Sequence, residues 1–257
     1  MPGPAIAPLE FAALTHPGKV RQQNEDCIAA DAAARLAVLA DGMGGHNAGE
    51  VASRMAVEII TSNIGSERGD TALDSAGAEA LIASHVIRAN STLLATARSD
   101  PQYEGMGTTL VVVLWHDEGV SYGNVGDSRL YLLRAGELRQ LTRDHSIVQE
   151  QVERGTMSLA EARHAPHRNV LTRALGIDPF VEAEVRTAAT EPGDLYLLCS
   201  DGLTDMLTDD EIRQALVADH DPLAAAAQRL VERANENGGL DNISVVLARV
   251  APERRGA

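Results

Sequence analysis

Three β-rich runs crowd into one short stretch: TTLVVVLW (108–115), VSYGNV (120–125) and RLYLLR (129–134). Only HDEG and GDS separate them. Parallel neighbours need a crossover of about a dozen residues, so these runs are restricted to antiparallel pairing, which reads as a meander. Further β-rich runs are RLAVLA (35–40), DLYLLCS (194–200) and NISVVLARV (242–250), each bounded by turn residues.

Helical periodicity lies between these clusters. Val51, Met55, Ile59 and Ile60 recur near a 3.6 period, and Leu81, Ile82, Val86, Ala89 and Leu93 form a second stripe over 78–97. Thr208 and Glu211 have capping-box spacing ahead of EIRQALV. Asp221-Pro222 opens PLAAAAQRLVERANE, which Gly238 and Gly239 stop. Strand clusters flanked by helix pairs predict an α+β fold with helices outside antiparallel sheets, in one domain over about 8–252. Residues 144–177 break this pattern. They hold a short helix (DHSIVQEQVERG), a cap at Ser158 and Glu161, and the basic, turn-rich HAPHRN, and read as a small surface subdomain.

The formal charge of −15 argues against a protein whose main work is gripping nucleic acid or anionic membrane through phosphates. The two cysteines, Cys27 and Cys199, imply no disulfide scaffold. MPGPAIAPLE lacks the basic-then-apolar pattern of a signal peptide, and no run of about eighteen apolar residues spans a membrane. The expected setting is cytoplasmic.

Four aspartates stand at strand ends. Asp41 closes LAVLAD, Asp201 follows LYLLCS, Asp127 lies in GDS and Asp241 precedes NISVVLARV. Each alone reads as a turn residue, since Asp-Gly and Asp-Asn are common turn pairs. Aligned strands, however, would gather four carboxylates at one edge of the sheets, and like charges that close call for a counter-cation. Carboxylate and carbonyl oxygens are what Mg²⁺ or Mn²⁺ prefers. Gly42 would let its carbonyl face such an ion without a Cβ in the way, and Gly44 and Gly45 let the chain double back. A dinucleotide fingerprint from Gly42 fails at Asn47, and a Walker A loop from Gly44 fails at Glu50. In GKVRQQNEDCIAAD, Arg21 carries the planar fork that matches a phosphate, and Glu25 and Asp26 suit a role holding metal-bound water. The bland alternative there is an exposed polar strand or turn.

Together these residues resemble a known family. RxxNED (21–26), ADGMGGHxAGExAS (40–53), GTT (107–109), NVGDSR (124–129), LTRDHS (141–146), NVLTRALG (169–176), LLCSDGLTD (197–205) and DNISVVL (241–247) occur in the order seen in metal-dependent, PPM-type serine/threonine protein phosphatases (protein phosphatase 2C-like), with the bacterial branch most similar. The resemblance implies a four-layer α-β-β-α sandwich with a binuclear Mn²⁺ or Mg²⁺ centre at one end. Asp41 would bridge two ions, the Gly42 carbonyl would bind one of them, and Asp201 and Asp241 the other. Asp127 with Asp201 matches a third, weaker site of bacterial relatives. Arg21 matches the phosphate-binding arginine, and 144–177 the flap beside the active site.

The implied reaction is hydrolysis of phosphoserine and phosphothreonine by a metal-bridged hydroxide, opposing a bacterial Ser/Thr kinase, by a monomer acting on phosphorylated proteins. A catalytically silent adaptor and a hydrolase of small phosphate esters are the alternatives. Two departures stand out. Bacterial relatives commonly have His-Pro late in the flap, whereas here Ala165 precedes Pro166 between His164 and His167, leaving the flap's substrate contact open. The animal-type histidine after Asp-Gly is replaced by Met43, so His46 is the nearest candidate general acid.

Overall fold

The computed structural model describes residues 8–45, 48–68, 73–217 and 222–251. Its strands are β1 (Leu9–His16), β2 (Asp26–Asp31), β3 (Leu36–Met43), β4 (Gly107–Thr108), β5 (Leu110–His116), β6 (Gly119–Val125), β7 (Arg129–Arg134), β8 (Glu137–Gln140), β9 (Glu184–Ala188), β10 (Leu195–Cys199) and β11 (Ile243–Val250). The helices are α1 (Ala48–Arg68), α2 (Ser75–Ser99), α3 (Ile147–Glu153), α4 (Leu159–Ala162), α5 (Asp201–Thr204), α6 (Asp209–Leu216) and α7 (Leu223–Glu236). One sheet runs β1-β11-β10-β7-β8; the other runs β2-β3-β5-β6-β9, with β4 paired to β3. All pairings are antiparallel.

The sheets face each other, with α1 and α2 packed on one outer face and α5, α6 and α7 on the other. This is the expected α-β-β-α sandwich. Both faces of each sheet are covered, so the central strands are apolar throughout and side-chain parity decides which layer each residue joins. Along β3, Leu36, Val38 and Ala40 face the helices, while Ala37 and Leu39 enter the space between the sheets. Trp115 is fully buried in that space, edge-on to Phe11 (5.5 Å) and Tyr196 (5.6 Å).

Several expectations need correction. The three crowded runs do not form a meander. β5 and β6 are a hairpin, but β7 belongs to the other sheet, so the GDS turn crosses between layers. Two-sided burial removes the alternation that would have distinguished a sheet change from a hairpin. Asp41 lies within β3, which continues to Met43. The segment around Asp26 forms β2, a strand as the bland alternative allowed, but with Asp26 buried rather than exposed. In α1 the fully buried stripe is Ala52, Ala56, Ile60 and Ile64, whereas Val51, Met55 and Ile59 are only partly buried. The small alanines let the helix axis approach the sheet, a role that hydrophobicity alone does not mark. Both capping boxes form: Thr208 with Glu211 and Ser158 with Glu161. The 144–177 segment has its own small cluster of Val148, Ala162 and Ala165, yet its last residues, Ala174 and Leu175, are buried, with Leu175 in the main core. Asp221 and Pro252 lie outside the described residues.

Candidate active site

Strand register brings the motifs to one end of the sandwich. Asp26 pairs directly with Asp41 across β2 and β3. Cys199 pairs with Arg129 on one side and Val245 on the other, so Asp201, Asp127 and Asp241 lie just beyond the same edge. Parity places Asp26 and Asp41 on the inner faces with Ile28 and Leu39, and Ser200 and Ser244 with Leu198 and Val246. Ser200 Oγ donates to Asp26 Oδ2 at 2.9 Å and so joins the two sheets at this end.

A cleft of about 250 Å³ opens there, with Arg21, Glu25, Asp41, Gly42, Asp127, Asp201 and Asp241 all on its wall. Thr109 fixes Asp41. Its Oγ1 accepts from Asp41 N at 2.9 Å, its N donates to Asp41 O at 2.8 Å, and its hydroxyl meets Ser128 Oγ at 2.7 Å. Thr108 Oγ1 adds a bond to the same carbonyl at 2.9 Å. Gly42 also answers a steric demand that its sequence does not show. A Cβ there would fall 2.1 Å from the Gly49 carbonyl oxygen and 2.7 Å from that of Glu25. The glycine permits close backbone packing of β3 against the start of α1, where Gly42 N also donates to Glu25 O at 3.1 Å.

Asp127 is held through its neighbours. Gly126 adopts φ +103°, and a Cβ on it would meet the Thr109 side chain at 2.7 Å. Gly126 N donates to His145 Nδ1 at 3.1 Å, and His145 N donates back to Gly126 O at 2.9 Å. The His145 proton therefore sits on Nε2, which is buried without a hydrogen-bond partner; the Glu184 carboxylate is 3.8 Å away. Burial, aided by the Arg173 charge, lowers the His145 pKa and keeps the ring neutral. The N-terminal wall depends on Asn242, whose Oδ1 accepts from Glu25 N at 2.8 Å and whose Nδ2 donates to Gln23 O at 2.8 Å and Pro17 O at 3.1 Å.

The electrostatics are those of crowded acids. Burial and then the charges of Asp26, Asp201, Asp127 and Asp241 raise the Asp41 pKa well above the usual range. Asp201 is raised by burial, then by Asp127, Asp205 and Asp241. Burial, with Asp144, pushes Asp127 to about 7 against the pull of Arg129. Asp26 is pushed to about 6 by burial, while bonds from Ser244 and Ser200 favour its charged form. Oδ1 of Asp26 and Oε1 of Glu25 are buried with no hydrogen-bond partner. Arg21 donates to Asp241 Oδ2 at 2.7 Å, and Asn242 N donates to Asp241 Oδ1 at 2.8 Å. Among the described residues, no three such side chains already close around a single point, as expected when acids repel and Asp241 is drawn to Arg21. An oxygen-only donor set with unpartnered buried carboxylate atoms nevertheless suits a hard divalent cation.

The flap borders the same cleft through Asn169 and Leu171. Arg163 Nη2 donates to Leu207 O at 2.9 Å and Thr204 O at 3.3 Å, and Arg168 Nε donates to Asp205 Oδ2 at 3.2 Å. Ala165, at the departure from His-Pro, is buried in the flap's own cluster, while His167 faces Gln151 Oε1 at 3.2 Å. His46 lies outside the described residues. The roles of Thr109, Asn242, His145, Arg163 and Arg168 were not readable beforehand, although GTT, DN and DHS were visible as strings.

Residues 16–247 match the family model described as Protein phosphatase 2C. The chain belongs to the protein phosphatase 2C family. This family member is 41% identical over 242 residues to the serine/threonine protein phosphatase PstP of Mycobacterium tuberculosis, covering 94% of the chain but 45% of PstP, so it spans under half of that relative's length. It is 38% identical over 248 residues to protein phosphatase PhpP of Streptococcus pneumoniae, covering 95% of the chain and 99% of PhpP. The crystal structure of the M. tuberculosis PstP phosphatase superposes with a TM-score of 0.86 at 40% identity, covering 95% of this chain and 99% of that one. A second structure, the PstP catalytic domain in complex with two manganese ions, gives 0.84 at 40% identity and covers 95% and 98%. In this phosphatase 2C chain Cys199 is inert, since burial pushes its thiol to about 12.

Proposed function

We propose that this chain is a metal-dependent serine/threonine protein phosphatase that hydrolyses phosphoserine and phosphothreonine and opposes a bacterial Ser/Thr kinase. The observation that carries the reading is the meeting of Asp41, Asp127, Asp201 and Asp241, from four separate segments, on one cleft beside Arg21. Burial and then the neighbouring carboxylates raise the pKa values of Asp41 and Asp201, and a bound divalent cation would relieve both effects. Asp41, the Gly42 carbonyl, Asp201 and Asp241 would hold two Mn²⁺ or Mg²⁺ ions, as the PstP catalytic domain holds two manganese ions. Asp127 with Asp201 would hold a third, and Glu25 and Asp26 would accept from bound water. Ions there would acidify water and offset phosphoryl charge.

Arg21 is half-exposed at the mouth and paired with Asp241, and would turn from it to an entering phosphoryl group. Its fork would orient two phosphoryl oxygens for attack opposite the leaving serine or threonine oxygen. His46 remains the candidate to protonate that oxygen, from its sequence position alone. The functional unit is residues 8–252 with the flap at about 144–177, acting as a cytoplasmic monomer. Among the described residues no helix is long and apolar enough to cross a membrane.

The test is phosphate release from a phosphothreonine peptide with Mn²⁺. Asp41→Asn should abolish it while the far-UV spectrum stays native, and excess EDTA should silence the wild type. Full turnover in either case overturns the reading.

A further inference from the structure

A second cavity of about 370 Å³, distinct from the active-site cleft, has Phe180 on its wall. The two are continuous along the chain. Asn169 and Leu171 line the cleft, and the next residues, Thr172 and Arg173, line the second cavity with Phe180 and Val181. Phe180 is 94% exposed and Ile177, three residues before it, 46% exposed. Phenylalanine is scarce in this chain, with two in all, so leaving one in water is a local choice rather than a surplus.

The loop that presents Phe180 is well anchored. Buried Asn90 of α2 accepts from Gly176 N at 2.7 Å and donates to Asp178 O at 2.8 Å, clamping both sides of Ile177. Leu175 exchanges two backbone bonds with Thr108, at 3.0 and 2.9 Å, beside the Thr109 that fixes Asp41. The loop that carries the exposed ring is thus tied, through a few bonds, to the same frame as the catalytic carboxylates. An apolar side chain borne on an anchored loop leaves less backbone ordering to be done on binding.

We propose that this cavity seats an apolar side chain of the phosphoprotein substrate, a few residues from the phosphorylated one. Extended chain advances about 3.3 Å per residue, so a segment leaving the cleft past Leu171 reaches Arg173 within two to four residues. Asp178 and Glu182 outnumber Arg173 on the cavity wall, so its field disfavours acidic flanking residues and favours apolar or basic ones. The inference rests on the phosphoprotein phosphatase reading and adds a sequence preference to it.

The experiment uses a phosphothreonine peptide of otherwise alanine and glycine, with a single leucine scanned through two to four residues on either side. The wild type should prefer leucine at one of these positions by about tenfold in kcat/KM, carried by KM, as partial burial of a leucine predicts. Phe180→Ala should erase that preference while hydrolysis of p-nitrophenyl phosphate with Mn²⁺ stays unchanged. Equal turnover of all peptides, or a preference that survives Phe180→Ala, overturns the proposal. Concentration-dependent dimerisation lost in Phe180→Ala would also overturn it, by assigning the cavity to a second copy. If neither peptide nor p-nitrophenyl phosphate is hydrolysed, the phosphatase reading fails. Calorimetry with the same peptides then decides the cavity separately, a Phe180-dependent leucine preference upholding it and none overturning it.

Discussion

Thr109 shows how much one hydroxyl can hold. It satisfies the Asp41 N–H inside the sandwich and meets Ser128, next to Asp127. Thr109→Val keeps the shape and removes the acceptor, leaving a buried N–H unpaired at a cost of about 1–3 kcal/mol. Urea unfolding should show that loss, and isothermal titration should show weakened Mn²⁺ binding, whereas Thr109→Ser should recover most of both. Gly42 makes the opposite demand, for an absence of atoms. Its residue type was legible in the sequence, but this steric reason was not, because the clashing groups are the backbones of Gly49 and Glu25. The four strand-end aspartates were legible because each interrupts or borders an apolar run. Asn242 and His145 were not, since their work is hydrogen bonding to main-chain groups that become neighbours only in the fold.

At the scale of elements, the flap is joined to the body by backbone bonds, side-chain ion pairs and side chains that reach backbone. Arg163 satisfies the carbonyls of Thr204, the last residue of the short helix carrying Asp201, and of Leu207 just beyond it. Removing that guanidinium in Arg163→Ala should loosen α3 and α4 without unfolding the sandwich. Hydrogen exchange should report about tenfold faster exchange of flap amides, the melting temperature moving by no more than a few degrees. Some elements escaped the sequence for physical reasons. β1 (LEFAALTH) and β2 (DCIAAD) carry few bulky apolar residues, and β1 lies at the edge of its sheet. The β6-to-β7 sheet change escaped because VSYGNV and RLYLLR are buried on both faces and give no directional signal. Caps fared better, since a Ser or Thr three residues before Glu is a local device needing no tertiary partner.

For the whole molecule, the acidic cleft opposes folding unless something answers its charge. Asp41, Asp127, Asp201 and Asp26 all have native pKa values above the usual carboxylate range, chiefly from burial. A raised native pKa means the folded state holds protons that the unfolded chain has released. Stability then falls as pH rises from about 4, through about 6 for Asp26 and about 7 for Asp127. Thermal unfolding in EDTA should therefore show a lower melting temperature at pH 8 than at pH 5.5. Saturating Mn²⁺ should reverse the trend, adding about 2.7 kcal/mol at a hundredfold excess over Kd. A flat profile in EDTA would mean that the acids do not share one field. A layered α+β domain with helices outside antiparallel sheets was legible from strand clusters and helix pairs, and the two-sheet sandwich through the family resemblance. The side-chain parity that directs Asp26 and Asp41 inward required the register.

Trp115, in the space between the sheets, lies six positions along the chain from Thr109 at the cleft, about 20 Å of extended chain. The interlayer therefore has an aromatic waist at one depth and an ionisable mouth at another. Drift among mouth residues can retune chemistry without disturbing the waist, so a lineage could abandon or revise catalysis here and inherit an intact scaffold.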